Sequence, residues 1–222
     1  MELYIESLTN RVYRKIDSVL LNESGSDLFT QHFDNHLNDA NFYNFQNYYF
    51  KTIKNFDLFL AKKDYMKEFR QKYSLRGIKN EYLTKLENDK EKIISLILAK
   101  EYENVYFTFF CNQTYSEKDY GSFFTKLIHT FAPEMFSPID NPIKDYLRLT
   151  NESFFISMIV ISKAYLKWAN KNKKTITEFR NMFYKSNFVV GQKSPQPLIT
   201  DLKILNIIFW SIANKITATN NV

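Results

Sequence analysis

Glycine is scarce in this sequence, with 4 among 222 residues. That scarcity excludes a glycine-rich phosphate loop, a dinucleotide-binding turn and a turn-rich β-sandwich, all of which need glycine at fixed places. Cysteine is scarcer still. Cys111 stands alone, so no internal disulfide forms and no cysteine cluster holds zinc, and a reducing, cytoplasmic setting is expected. Long apolar runs are missing as well. "SFFISMIVIS" ends at Lys163 and "ILNIIFWSIAN" at Lys215, both too short to span a bilayer. The opening "MELYIESLTNRVYRKI" lacks a basic-then-apolar signal pattern and reads as an amphipathic helix.

Aromatic residues and positive charge fill the space those absences leave. Phe (21) and Tyr (15) dominate an aromatic share of 17%, so the core is built from large flat side chains. The net charge is +6 and the pI about 9.1, a balance that favours anionic partners such as nucleic acid.

Helical periodicity runs along most of the chain. Leu3, Ile5, Leu8, Val12, Ile16, Val19 and Leu20 share one face of a first helix. A short helix over "LFTQHFDNHL" follows the loop "NESGSD". Asp39 then caps a helix in which Phe42, Phe45, Tyr49, Ile53, Phe56 and Leu60 form a core-facing stripe. Gly77 divides the basic stretch from Ala61 into two helices, the second running on into "IISLILAK". "ENVYFTFF" alternates as a strand does, but no partner strand is visible nearby, and it is taken as helical. Helices are expected over Ser122–Phe131, Pro142–Leu149, the all-round apolar "NESFFISMIVISKAYLKWAN", a segment opened by a Thr175–Glu178 capping box, and Thr200–Asn214.

The segment "TKLIHTFAPEMFSPIDNPIKDYL" concentrates three of the five prolines around Asp140. Pro133, Pro138 and Pro142 fix backbone torsions, and Pro142 suits the first turn of a helix. On residue types alone this is a stiff corner between two helices with Asp140 or Asn141 as cap.

The pattern Thr125-Lys126, His129, Phe131, Pro133, Phe136, Pro138, Asp140 and Ile143 also resembles, over about Gly121 to Leu147, a segment of the helix-hairpin-helix DNA glycosylase superfamily. There an aspartate follows a proline-containing loop and starts a helix. The resemblance implies Asp140 as the catalytic carboxylate, stabilising the positive charge on the sugar as a glycosidic bond breaks, or activating a water. Lys126, His129 and Lys144 would then flank the phosphate or sugar. Only Gly121 stands where that family carries a glycine-rich hairpin, and Ser122 falls near the lysine of its bifunctional members. An active enzyme and a binding-only descendant both follow from such a pattern.

Elsewhere, Lys62, Lys63, Lys67, Arg70, Lys72, Arg76 and Lys79 alternate with Tyr65, Phe69 and Tyr73, a composition suited to a nucleic-acid backbone and stacked bases, or to a solvated helix face. Of these cations, Lys62, Lys63, Lys67, Arg70 and Arg76 are the candidate contacts. Lys167, Lys171, Lys173, Lys174 and Arg180 form a second basic group. His32 and His36 have metal-compatible spacing in "HFDNH" but no third ligand, and neither a metal nor another cofactor is expected. The expected fold is mainly α, one globular domain over residues 1–222 with nine to twelve helices and an aromatic-rich core, a subdivision near 112–121 being left open. The expected function is nucleic-acid binding, DNA foremost, distantly glycosylase-like. The alternative is a non-enzymatic helical protein-interaction module, such as a defence or phage-encoded regulator. No membrane partner is expected.

Overall fold

The stripe on the first helix, α1 (Glu2–Asn22), does what its spacing requires. Leu8, Val12, Ile16 and Leu20 are buried against α10 (Phe154–Lys171), while Leu3 stays exposed. Each such side chain contributes roughly 2 kcal/mol of burial. The computed structural model describes residues 1–22, 27, 40–115, 118–185 and 199–219. Among these there are twelve α-helices and no strand, and no helix is long and apolar enough to cross a membrane.

α10 is the central helix, packed by α1, α8 (Gly121–Phe131), α11 (Lys173–Lys185) and α12 (Asp201–Thr219). Ser153 caps it, accepting from Ile156 N at 3.1 Å. Met158, Val160, Ile161, Ala164, Tyr165 and Trp168 bury successive faces, as an all-round apolar sequence demands.

The stripe Phe42 to Leu60 is not one helix. It splits into α2 (Ala40–Thr52) and α3 (Phe56–Ala61). Lys54 turns the chain with φ +54°, its N–H donates to Thr130 O at 2.8 Å, and Asn55 caps α3 by accepting from Leu58 N at 2.9 Å. A strong cap outcompetes continued periodicity here. Gly77, at φ +69°, does separate α4 (Tyr65–Lys72) from α5 (Asn80–Asn88). The expected continuation into "IISLILAK" is broken at Asp89, where α6 (Lys90–Leu98) begins.

"ENVYFTFF" is helical, and Val105, Phe107 and Phe109 do not share a face. α7 (Tyr102–Val105) passes into a π-turn over Tyr106–Phe110, closed by Cys111 N donating to Tyr106 O at 2.9 Å. The wider turn buries Val105, Tyr106, Phe109 and Phe110 and leaves Phe107 outside. Thr175 and Glu178 do not form a cap, because α11 starts two residues earlier and Ile176 N donates to the O of Asn172, the residue before the helix. α9 (Asn141–Tyr146) is shorter than expected and packs on α12.

One contiguous core reaches from Leu8 to Phe209 and is lined with rings. Phe69 stacks on Tyr73 and on Phe123 with centroids 4.4 and 5.3 Å apart, and Phe59 meets Tyr65 and Phe131 edge-on.

Candidate functional site

The proline segment between α8 and α9 is clipped in place by three helices. From α8, Thr125 Oγ1 donates to Ile139 O at 2.8 Å and accepts from Ile139 N at 3.0 Å. From α10, Ser162 Oγ accepts from Ser137 N at 2.8 Å. From α12, Asn206 Nδ2 donates to Pro138 O at 2.7 Å. Pro133 and Pro138 are themselves buried. A segment of missing N–H groups and fixed φ angles thereby becomes a rigid bracket.

His129 completes the bracket. Its Nδ1 lies 2.6 Å from Phe136 O, and a carbonyl only accepts, so Nδ1 carries the proton. Nε2, 3.0 Å from the Tyr49 hydroxyl, is then the acceptor. The ring is fully buried, and that burial, with Lys203 nearby, pushes its pKa down to about 3.

The bracket ends at Asp140, which caps α9 by accepting from Ile143 N at 3.3 Å, with Pro142 in the first turn. Asp140 also lines a cavity of about 910 Å³, within the range of small-molecule sites. Its outer rim carries Lys72, Arg76, Lys118 and Trp210. Its inner end is made by Gln46, Pro138, Lys203 and Asn206, all buried. Phe45, Tyr73, Tyr120, Phe123 and Phe154 supply flat walls.

Charge is unevenly distributed in this cavity. Five cations, Lys72, Arg76, Lys118, Lys126 and Lys203, face two carboxylates, Asp119 and Asp140. Asp119 is already engaged, accepting from Tyr106 OH and from Gly121 N, both at 2.7 Å. Lys126 donates to Ser122 Oγ at 2.6 Å, and burial lowers its pKa against the opposing pull of Asp140. Lys203 is pushed down to about 8, by burial first and by the Lys126 charge second, Asp140 again opposing. Its Nζ lies over the rings of Tyr49 and Phe45, 5.0 and 5.4 Å from their centroids. A buried amine, Lys203, and a half-buried one, Lys126, therefore share one carboxylate, an arrangement that attracts an anion.

Of the residues singled out from the sequence, the cavity unites Asp140, Lys126 and Arg76. Two others need correction. His129, expected beside phosphate or sugar, is a neutral core histidine with both nitrogens occupied. Lys144, expected there too, is buried, donates to Glu152 O at 2.6 Å, and rests on the Phe154 ring at 4.3 Å, pinning α9 to the turn before α10.

The basic stretch also differs from expectation. Tyr65 and Phe69 point inward and are fully buried, so they offer no base-stacking surface. Lys62 pairs with Glu68 at 2.5 Å, and Arg70 donates to Ile78 O at 3.0 Å. Lys63 and Lys67 are exposed, which leaves a solvated helix face with some unspent charge. In the second basic group, Lys167 donates to Asn10 at 2.8 Å and Arg180 pairs with Asp201. Gly121 is required by packing: a Cβ there falls 2.2 Å from Phe154 Cγ. His32 and His36 lie outside the described residues.

Gln46, Lys203, Asn206 and Trp210 were not singled out from the sequence. The one signal was Lys203 and Asn206, three apart, interrupting the apolar run "LKILNIIFW". No family model, curated protein or solved structure matches this chain.

Proposed function

We propose that this chain is a nucleic-acid-binding protein, acting on DNA foremost, whose site is the cavity at Asp140. The observation that supports the reading most strongly is the combination of five cations, a helix-capping carboxylate and aromatic walls in a cavity large enough for a nucleotide. The rim cations Lys72, Arg76 and Lys118 meet the backbone, and the exposed Lys63 and Lys67 add sequence-independent attraction. Asp140 accepts one backbone N–H, and a carboxylate retains further lone pairs for the cavity. Beside a sugar drawn into the site, that charge stabilises a developing oxocarbenium ion, the distantly glycosylase-like part of the proposal.

Fluorescence anisotropy of labelled single- and double-stranded DNA over a salt series tests it. Affinity should fall steeply with salt, and Arg76→Glu with Lys118→Glu should weaken binding at least tenfold. Flat curves at low salt sink the reading. Asp140→Asn should retain binding and lose any base release. If that variant leaves every nucleic-acid activity unchanged, the glycosylase-like part fails.

One observation favours the alternative, a non-catalytic interaction module such as a defence or phage-encoded regulator. A second groove of about 370 Å³ is lined by Tyr102, Phe136 and Phe155, with Phe107 48% and Met135 44% exposed nearby. A stable co-purifying protein together with no affinity for DNA would decide for it.

A further inference from the structure

Gln46 holds an unanswered acceptor at the inner end of the cavity. The residue is 2% exposed, and its Oε1 has no hydrogen-bond partner. Lys203, 5% exposed, lines the same cavity, and the partners of its ammonium are the Tyr49 and Phe45 rings. Lys126 adds a second amine, and Asp140 is the carboxylate that opposes both. A ligand that completes this end must bring negative charge for two amines and a proton for one carbonyl.

We propose that the inner end of the cavity binds a phosphate monoester, at the end of a nucleic-acid strand or on a free mononucleotide. The assignment rests on the nucleic-acid reading of the cavity and specifies which phosphate enters it. A diester inside a strand has one charge, no P–OH and two substituents that must leave by separate routes. A monoester has one substituent, and as its monoanion, the form that prevails below a second pKa of about 6, it carries a P–OH together with two anionic oxygens that share one charge. Its P–OH donates to Gln46 Oε1, and its anionic oxygens accept from Lys126 and Lys203 Nζ. The single substituent leads outward between Phe45, Tyr73 and Phe123 toward Lys72, Arg76 and Lys118, which take any diesters that follow. Asn206 is held away by its bond to Pro138 O and shapes the wall.

The test compares one oligonucleotide sequence with a 5′-phosphate, a 3′-phosphate or hydroxyl ends, alongside adenosine monophosphate, adenosine and inorganic phosphate. The phosphorylated form at one end should bind at least tenfold more tightly than the hydroxyl-ended strand. Lys203→Met and Gln46→Leu, which keep volume while removing the cation or the acceptor, should erase the difference between phosphorylated and hydroxyl-ended strands. Inorganic phosphate should raise the melting temperature of the native chain and not that of Lys203→Met, a readout independent of DNA. Equal affinities for all ends, with no thermal shift from phosphate or mononucleotide, overturn the proposal. Binding of the mononucleotide but of no oligonucleotide retains the monoester site and overturns the nucleic-acid reading, so the two fail separately.

Discussion

Asp140 carries two loads that substitution can separate. As a helix cap its oxygen answers Ile143 N, and asparagine does that nearly as well as aspartate. Asp140→Asn should therefore melt within a few degrees of the native chain, whereas Asp140→Ala should cost about 1 kcal/mol, measured by urea unfolding. Loss of nucleic-acid chemistry in the asparagine variant then reports charge, not folding. His129 makes a second residue-scale prediction. Its folded pKa of about 3 lies below the ordinary 6.5, so its contribution is fully present above pH 6.5 and is lost as pH falls from there toward 3. By pH 5 the loss is about 2 kcal/mol, and His129→Gln should show a flatter stability profile over that interval. Lys203 behaves in the same sense at higher pH. With a folded pKa of about 8 against an ordinary 10.5, it lets stability rise between those values, and Lys203→Met should remove that rise.

At the scale of elements, the contact between α8 and α10 turns on one missing methyl group. A Cβ at Gly121 lies 2.3 Å from Phe154 Cβ, too near for any small adjustment. Gly121→Ala should destabilise by about 2 kcal/mol or more, measured by chemical denaturation, although glycine is the poorer helix former. Helices with one apolar stripe, α1 above all, were legible from spacing alone, as was the buried character of α10. The breaks at Asn55 and Asp89 were not: Asn55 caps through a local hydrogen bond, and the Asp89 carboxylate accepts from the Tyr115 hydroxyl, and a periodic pattern registers neither. The segment from Tyr102 to Phe110 was legible as helix but not as a π-turn, because one extra residue in a turn is set by local packing that spacing does not register.

Across the whole molecule, the sequence showed a positive balance without showing where it is concentrated. Much of the basic stretch from Lys62 is spent on neighbours such as Glu68 and Ile78 O. The cations that converge come from α4, the turns around Gly77 and Asp119, α8 and α12, which only the fold brings together. Asp140 and Lys126 were legible because the prolines marked their segment. Gln46 and Lys203 sat within hydrophobic patterns, where a polar residue acquires meaning only from what packs against it. The same distribution predicts that neutralising Lys63 and Lys67 lowers the salt slope of DNA binding by at most about two, while Arg76 and Lys118 govern the affinity itself.

The two tryptophans are placed so that the chain contains its own optical gauge. Trp210 stands at the cavity rim, 38% exposed, whereas Trp168, on α10 and not part of the cavity lining, is 2% exposed and stacked on Phe179. Emission from the first tracks the polarity of the cavity mouth, and emission from the second serves as an internal standard. Anything that fills the cavity will dim or blue-shift one signal and leave the other in place, and Trp168→Phe should isolate the responsive one.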